Sequence, residues 1–357
     1  MKKLSDTKIQ LSSYAVPYTS YGEIGEQLFK SLFKMTKEVM FRPYSFNEAF
    51  GAVNPPHIVN SLITRSLPDY FDYELVTHPP NSFTVLKERA FSNKRRILFT
   101  MWESARLDSV YVEQINKNFC AIITTDLWNK NTFIKSGVTI PIHIVPLWVD
   151  TNIFSPRQKL IGNENVVFGC AARLSHGGIR KNIPQIIEAF KIAFSGVKDV
   201  RLVFKCFPDC YVDGNSFKDE RISVIKAYLN NVSIRDWFYG LDAYITAATE
   251  GWGWFQQQAV ACGVPLVGVN YGPLKQFFNG YECDHTLVNA SQEIYNGCGK
   301  QVQVDPVTLA VKMREVYDNT ADAFVLGHTN TEKATRFNVE FFEKQFEKTL
   351  AKIIYGA

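Results

Sequence analysis

The chain has 357 residues, more than one hydrophobic core usually supports, so we expect two domains. Apolar residues make up 46% and charged residues 21% of the sequence, which argues against an intrinsically disordered chain. The formal net charge of +4 is too small to predict or exclude a nucleic-acid partner. The seven cysteines show no CxxC spacing, which argues against a zinc or redox centre and favours reduced thiols in the cytoplasm.

Short apolar runs alternate with helical patterns through the first half of the chain. The predicted elements are a strand over 8–16, a helix over 24–33, and strands at 83–86, 96–101, 121–124 and 143–147. This alternation favours a mainly parallel sheet, because helices join parallel strands. No apolar leader follows Met1 and no window of about eighteen apolar residues occurs, so we expect neither secretion nor membrane insertion.

The polar, turn-rich segment 148–162 separates the first half from a second half of the same kind. The elements predicted there are strand 166–170, helix 183–194, strands 200–205 and 222–227, helix 233–241, strand 243–246, helix 256–262 and strand 265–269. An amphipathic helix over 344–355 needs a surface to cover, and we predict that this surface belongs to the first domain. The patterns predict α/β domains over 1–152 and 165–335, followed by a C-terminal segment over 336–357.

The turn Glu250-Gly251-Trp252-Gly253 lies between a predicted strand and a predicted helix. A glycine-rich turn at a helix N-terminus exposes backbone N–H groups that suit a phosphate or a sugar hydroxyl. The Glu250 carboxylate can accept hydrogen bonds from sugar hydroxyls, and Gln258 can reach a ribose from the same helix face. The alternative is a turn that serves the fold, with its acid facing solvent.

The stretch from Glu250 to Pro265 resembles the EGxG…E signature of family 4 glycosyltransferases, which have the GT-B fold. The second glutamate of that signature falls on Gln258. Because an amide accepts through one oxygen only, donor choice or donor affinity should differ from the family pattern. The resemblance implies two Rossmann-like, doubly wound domains facing a central cleft, with a C-terminal helix that crosses back to the first domain.

A second resemblance to the family covers residues 169–189 and brings basic side chains for a diphosphate. By this resemblance, Arg173 and Lys181 would clamp the donor diphosphate, with Arg180 as a helper. Charge-assisted hydrogen bonds from such side chains neutralise a leaving nucleoside diphosphate. The alternative, above all for Arg180, is a basic residue on a solvated loop.

Three stretches of the first half resemble the family as well, at 101–104, 121–128 and 141–150. Glu103 follows a predicted parallel strand, where ligands bind in open α/β sheets, so we predict an acceptor-side residue. The alternative for Glu103 is a capping or ion-paired carboxylate. Gly22, in the predicted loop before the first helix, resembles the family glycine whose backbone approaches donor phosphate and acceptor. A simple turn is the alternative for Gly22.

The resemblance implies a retaining glycosyltransferase that moves a sugar from a nucleotide-diphosphate sugar to an acceptor hydroxyl, without a cofactor. No DxD-like acidic pair follows a strand, so basic residues and helix dipoles would replace a metal ion. The catalytic candidates are Glu250, Arg173, Lys181 and Glu103, and the donor-binding candidates are Gly22, Arg173, Arg180, Lys181, Glu250, Gly251, Trp252, Gly253 and Gln258.

The sequence leaves the acceptor open. One alternative is a glycan, and the other is a hydroxymethylated base in DNA, which some phage enzymes of this fold glycosylate. The expected location is the cytoplasm, or the host cytoplasm if the chain is phage-encoded. An inactive nucleotide-sugar-binding protein is an alternative of another class, suggested by Gln258.

Overall fold

The computed structural model describes residues 4–15, 19–36, 38–46, 70–81, 95–156, 164–172, 180–208, 210 and 218–356. The strand predicted at 83–86 lies outside these residues. The chain divides into two compact units. Unit 1 is formed from the segments 1–146, 292–298 and 340–357, and unit 2 from the segments 147–291 and 299–339.

Unit 1 is built on a six-stranded sheet with the strand order β2-β1-β3-β4-β5-β6. All neighbouring strands in this sheet are parallel. The strands are β1 (Lys8–Ala15), β2 (Glu38–Phe46), β3 (Tyr73–Thr77), β4 (Arg96–Phe99), β5 (Ala121–Thr124) and β6 (Ile142–Ile144).

Unit 2 is built on a second six-stranded sheet, with the order β12-β11-β10-β7-β8-β9, and it too is parallel throughout. Its strands are β7 (Val166–Ala171), β8 (Val200–Cys206), β9 (Ile222–Lys226), β10 (Ala243–Thr246), β11 (Leu266–Gly268) and β12 (Gly280–Glu282). An antiparallel pair, β13 (His285–Asn289) and β14 (Lys300–Val304), accompanies it. The predicted α/β class with two doubly wound sheets is confirmed.

Eleven α-helices lie in the described part of the chain. They are α1 (Ser20–Met35), α2 (Ser109–Asn118), α3 (Leu127–Ser136), α4 (Ile183–Ala193), α5 (Asn231–Tyr239), α6 (Trp254–Ala261), α7 (Gln292–Tyr295), α8 (Pro306–Asp318), α9 (Thr320–His328), α10 (Glu332–Thr335) and α11 (Val339–Tyr355). None of these described helices is both long and apolar enough to cross a bilayer.

Helix α11 packs within unit 1 through the apolar stripe that its sequence predicts. Phe342, Phe346 and Leu350 recur every fourth residue, and all three are fully buried. The Lys34 ammonium of α1 lies 2.7 Å from the Glu343 carboxylate of α11. The helix begins at Val339, several residues before the start predicted from its apolar periodicity.

In each sheet the strand order reverses at one point. From β1 the chain builds β2 on one side and then returns to build β3 on the other. From β7 it builds β8 and β9 on one side and then returns to build β10 on the other. Ligands of open α/β sheets bind beyond the carboxyl ends of the strands at such reversals, because the following loops diverge there. The ends of β1 and β3, and of β7 and β10, are therefore the places to look for a site.

Candidate functional site

The reversal in unit 2 brings together two candidate residues that are 69 positions apart in the sequence. Lys181 follows β7 and Glu250 follows β10, and the Lys181 ammonium donates to Oε1 of Glu250 over 2.5 Å. The two side chains are 14% and 10% exposed, so the ion pair is largely removed from water. A lysine ammonium can bind a phosphate oxygen, and a carboxylate can accept hydrogen bonds from hydroxyls. The pair can therefore bind a phosphate through Lys181 and a hydroxyl through Glu250 at the same place.

A glutamine amide supports the Glu250 carboxylate. Nε2 of Gln256 lies 3.3 Å from Oε1 of Glu250 and 3.3 Å from the hydroxyl of Thr246, at the end of β10. The sequence analysis missed Gln256 and singled out Gln258, which is 6% exposed on the same helix, α6. Nothing in the apolar pattern distinguishes the two, since Gln256, Gln257 and Gln258 follow one another.

The turn between Glu250 and α6 depends on Gly253. This residue has φ 91° and ψ 54°, in the left-handed region, and it stands immediately before the first residue of α6. A Cβ atom at this position would lie 2.3 Å from Cδ2 of Leu274. No side chain of the described residues caps this end of α6, so its first N–H groups can serve an anion or a hydroxyl.

The Trp252 side chain belongs to the core of unit 2. It is 1% exposed, and its indole N–H donates to Oε1 of Gln257 over 2.6 Å. The rings of Phe277 and Phe337 each lie 5.4 Å from the Trp252 ring, measured between centroids. Trp252 can therefore meet a donor through its backbone, while its side chain holds the turn against the rest of the unit.

Asn182, which the sequence analysis did not single out, ties the two loops together. It precedes α4 with φ 54° and ψ 34°, a left-handed conformation that Asn tolerates better than most residues. Its amide nitrogen donates to the carbonyl of Ala247 over 2.6 Å and to the carbonyl of Val302 over 3.0 Å. The residue after Lys181 is thereby fastened to the segment that leads to Glu250.

Two further basic candidates precede Lys181 in the sequence. Arg173 lies outside the described residues, and Arg180 is half-buried directly before Lys181. The buried thiol of Cys170, near the end of β7, lies close enough to the ion pair to feel both charges. Burial is the main cause that raises the pKa of Cys170 to about 12, so this thiol stays protonated.

The candidates of unit 1 lie beyond the carboxyl ends of its strands. Glu103 follows β4, and its Oε2 accepts a hydrogen bond of 2.7 Å from the hydroxyl of Tyr295, which is 2% exposed. Gly22 lies inside the first turn of α1 rather than in the loop that the sequence predicts, because α1 begins at Ser20. The Gly22 N–H donates to the Thr19 hydroxyl over 3.2 Å as part of the helix cap.

The described residues contain no group of three or more His, Cys, Asp or Glu side chains placed to hold a metal ion. The described residues at the reversal of unit 2 bring together the Lys181 ammonium, the Glu250 carboxylate and the start of α6. Such an arrangement can bind a phosphate and a polyhydroxylated group side by side.

Comparison with known proteins found no matching family model and no matching curated protein sequence. Among solved structures, the sucrose-phosphate synthase of Thermosynechococcus elongatus superposes with a TM-score of 0.69 at 13% identity, over 99% of this chain and 100% of that chain. A trehalose-6-phosphate synthase superposes with a TM-score of 0.61 at 10% identity, over 97% and 99% of the two chains.

The pneumococcal O-GlcNAc transferase GtfA, solved in complex with UDP and GlcNAc, gives a TM-score of 0.56 at 16% identity, over 80% of this chain and 57% of that chain. These similarities, together with the two parallel six-stranded sheets, show that the chain has the GT-B fold of these glycosyltransferases.

Proposed function

We propose that this chain is a retaining glycosyltransferase that moves a sugar from a nucleotide-diphosphate sugar to an acceptor hydroxyl. The observation that carries the proposal is the meeting of Lys181 and Glu250 at the reversal of the unit 2 sheet, in a chain with the GT-B fold. The names of the similar structures support it. One of them concerns enzymatic glycosyltransfer with retention by trehalose-6-phosphate synthase, and another is a transferase in complex with UDP.

When the donor binds, Lys181 and Glu250 would give up the ion pair between them and contact the donor. The Lys181 ammonium would bind the diphosphate, and the Glu250 carboxylate would accept hydrogen bonds from sugar hydroxyls. The backbone N–H groups at the start of α6 would complete the phosphate site. By the family resemblance, Arg173 and Arg180 would add positive charge.

Sugar transfer breaks the bond between the anomeric carbon and the diphosphate oxygen, and the electron pair leaves with the diphosphate. The acceptor oxygen then bonds to the anomeric carbon from the same face, and its proton passes to the departing phosphate oxygen. Lys181 and Arg173 would stabilise the charge that develops on the leaving group, which is why we propose that no metal ion is required. Glu103 would act on the acceptor side.

Gln258 would touch the donor ribose through one accepting oxygen, where the family resemblance places a carboxylate. A weaker hold on the ribose is the expected result, and it leaves the chemistry at the anomeric carbon unchanged. An inactive nucleotide-sugar-binding protein is the alternative that this departure suggests. A product assay distinguishes the transferase from the inactive binding protein, because the binding protein forms no glycosidic bond and hydrolyses no donor.

The first test is a screen of UDP, GDP, ADP and CDP sugars by thermal shift, because a true donor stabilises the folded state by mass action. Donor hydrolysis and transfer are then measured for the sugar that binds. Lys181→Ala is expected to remove about 2–4 kcal/mol of transition-state stabilisation, a loss of roughly 30-fold to 1,000-fold in kcat/KM. Glu250→Gln should lower turnover as well.

The matched controls lie on the exposed side of α4. Lys191→Ala and Glu188→Gln remove the same charges from solvent-facing positions of unit 2, and both should keep normal turnover. Near-normal kcat/KM in Lys181→Ala would refute the proposed site. The acceptor class is read from the same assay, by supplying glycans in one arm and hydroxymethylated DNA in the other.

A further inference from the structure

The reversal of the unit 1 sheet, between β1 and β3, carries an aromatic cluster that the proposed function has not used. Tyr14 lies near the end of β1, and His78 follows β3 directly. The register pairs Ser12 with Val76, so Tyr14 and His78 fall opposite each other on the same face of the sheet. The Tyr14 hydroxyl is hydrogen-bonded to Nε2 of His78.

The direction of this hydrogen bond follows from the other ring nitrogen of His78. Nδ1 lies 3.0 Å from the carbonyl oxygen of Pro79, and a carbonyl only accepts, so Nδ1 carries the proton. Burial lowers the pKa of His78, which is 2% exposed, so the ring is neutral at neutral pH. Nε2 must then accept, and Tyr14 donates. Burial also raises the pKa of Tyr14 to about 12, so the phenol keeps its proton.

With its proton committed to His78, the Tyr14 oxygen presents lone pairs and acts as an acceptor. The Glu103 carboxylate is a second acceptor near this cluster, and its charge is one of the causes that raise the pKa of Tyr21. Aromatic rings pack against the ring of Tyr14. The ring of Tyr21 is 6.0 Å and that of Tyr44 is 5.7 Å from the Tyr14 ring, between centroids.

Two acceptor oxygens among aromatic rings suit a ligand that donates hydrogen bonds and has apolar C–H faces. A sugar ring with free hydroxyls has both properties. A phosphate group has no hydrogen to donate to Tyr14 when fully ionised, and the Glu103 carboxylate would repel it. The half-buried position of Tyr14 leaves part of this side chain in reach of a ligand.

We propose that Tyr14, oriented by His78, binds a hydroxyl of the acceptor, and that the acceptor at this edge is an uncharged carbohydrate. Tyr14 is then a substrate-binding residue and His78 a positioning residue. The inference rests on the proposed function and deepens it, since it assigns the acceptor class. It favours a neutral glycan over a sugar phosphate or a modified DNA.

The test uses the full chain with the donor found by the screen. Acceptor probes are methyl glucoside, methyl mannoside and methyl galactoside, set against the corresponding sugar 6-phosphates and a hydroxymethylcytosine DNA duplex. Transfer to at least one methyl glycoside should exceed transfer to the charged probes. Tyr14→Phe keeps the ring and removes the hydroxyl, so it should raise the acceptor KM about tenfold, the value of one hydrogen bond.

Two comparisons separate binding from general damage. His78→Gln retains an accepting atom for Tyr14 and should keep the acceptor KM, whereas His78→Leu should raise the acceptor KM about tenfold. Tyr70→Phe changes an exposed tyrosine of the same unit, whose hydroxyl bonds Glu38, and should leave all constants unchanged. The donor KM is measured beside the acceptor KM in every variant, and in Tyr14→Phe and His78→Leu the acceptor KM should change by the larger factor.

The inference would be overturned by an unchanged acceptor KM in Tyr14→Phe, or by a preference for phosphorylated sugars or DNA. If the unaltered chain still hydrolyses the donor, the transferase proposal stands in either case. Absence of both hydrolysis and transfer with every donor would overturn the transferase proposal, and this inference with it. If Tyr14→Phe unfolds, saturation-transfer NMR on the unaltered chain decides. Methyl glycoside protons should receive saturation from aromatic side chains, and their failure to do so would count against a sugar at this edge.

Discussion

Replacing Gly253 by alanine is the sharpest test of how the turn before α6 is built. The backbone of Gly253 is left-handed, with φ 91° and ψ 54°, which costs an L-residue about 1–2 kcal/mol. The added Cβ would also lie 2.3 Å from Cδ2 of Leu274, a side chain with no exposed surface. Overpacking of this kind costs about 1–3 kcal/mol, so Gly253→Ala should lower the free energy of unfolding by about 2–5 kcal/mol.

Gly196→Ala is the matched control. Gly196 has φ 76°, and among the described residues no heavy atom would lie within 4 Å of its added Cβ. This variant should lose only the backbone contribution of about 1–2 kcal/mol, measured by urea unfolding. In the double variant Gly253→Ala/Leu274→Ala the clashing methyl group of Leu274 is absent. The stability losses of the two single variants should therefore sum to more than the loss measured for the double variant.

The same pair of variants tests the function of the turn. Gly253→Ala should weaken nucleotide-sugar binding by calorimetry, because a shifted turn misdirects the first N–H groups of α6. Gly196→Ala should bind normally. Equal stability losses in the two variants, or strict additivity in the double variant, would refute the packing argument, and unchanged donor affinity in Gly253→Ala would refute its link to the site.

Two further predictions concern buried titratable side chains of unit 1. Arg96 and Glu74 form an ion pair of 2.7 Å, and their side chains are 2% and 3% exposed. Arg96→Met leaves the Glu74 carboxylate buried without its partner, so it should lower the free energy of unfolding, measured in urea, by about 3–5 kcal/mol. The double variant Arg96→Met/Glu74→Gln should lose less than Arg96→Met alone, and additive losses would contradict this prediction. Burial lowers the pKa of His78 in the folded chain, so the free energy of unfolding should fall as the pH drops below about 6.5. This fall should be shallower in His78→Gln. Equal slopes of the free energy of unfolding against pH in the two proteins would contradict the prediction.

The architecture could be predicted because most of its strands are continuous apolar runs. Strands β5, β7 and β10 begin and end within a residue of their predicted limits, since both faces of a parallel strand are buried. Strands β2 and β3 escaped prediction for a physical reason. Their sequences carry Arg42, Pro43 and Glu74 inside the strand, and the Glu74 charge is matched by Arg96 on the neighbouring strand. A buried ion pair places charged residues inside a strand, so a search for apolar runs does not find that strand.

The site could be predicted in part, because a motif marks a loop but does not say which side chains meet. The pairing of Lys181 with Glu250 depends on the reversal of strand order, which joins loops distant in sequence. Gln256 and Asn182 act through hydrogen bonds to particular atoms of other segments, so no local pattern marks them. The roles in transfer of all the candidate residues stay predictions, those of Lys181 and Glu250 included.

The charges at the two reversals favour different ligands in the two units. In unit 2 the Lys181 ammonium is already neutralised by Glu250, so a diphosphate that takes the place of Glu250 exchanges one anion for another and leaves no buried cation uncompensated. In unit 1 the corresponding position holds a neutral histidine, a protonated phenol and, farther along the edge, the Glu103 carboxylate. An anion placed there would meet a negative charge and a hydroxyl that has no proton to offer. We therefore expect the anionic donor at the reversal of unit 2, and we propose the uncharged acceptor at the reversal of unit 1.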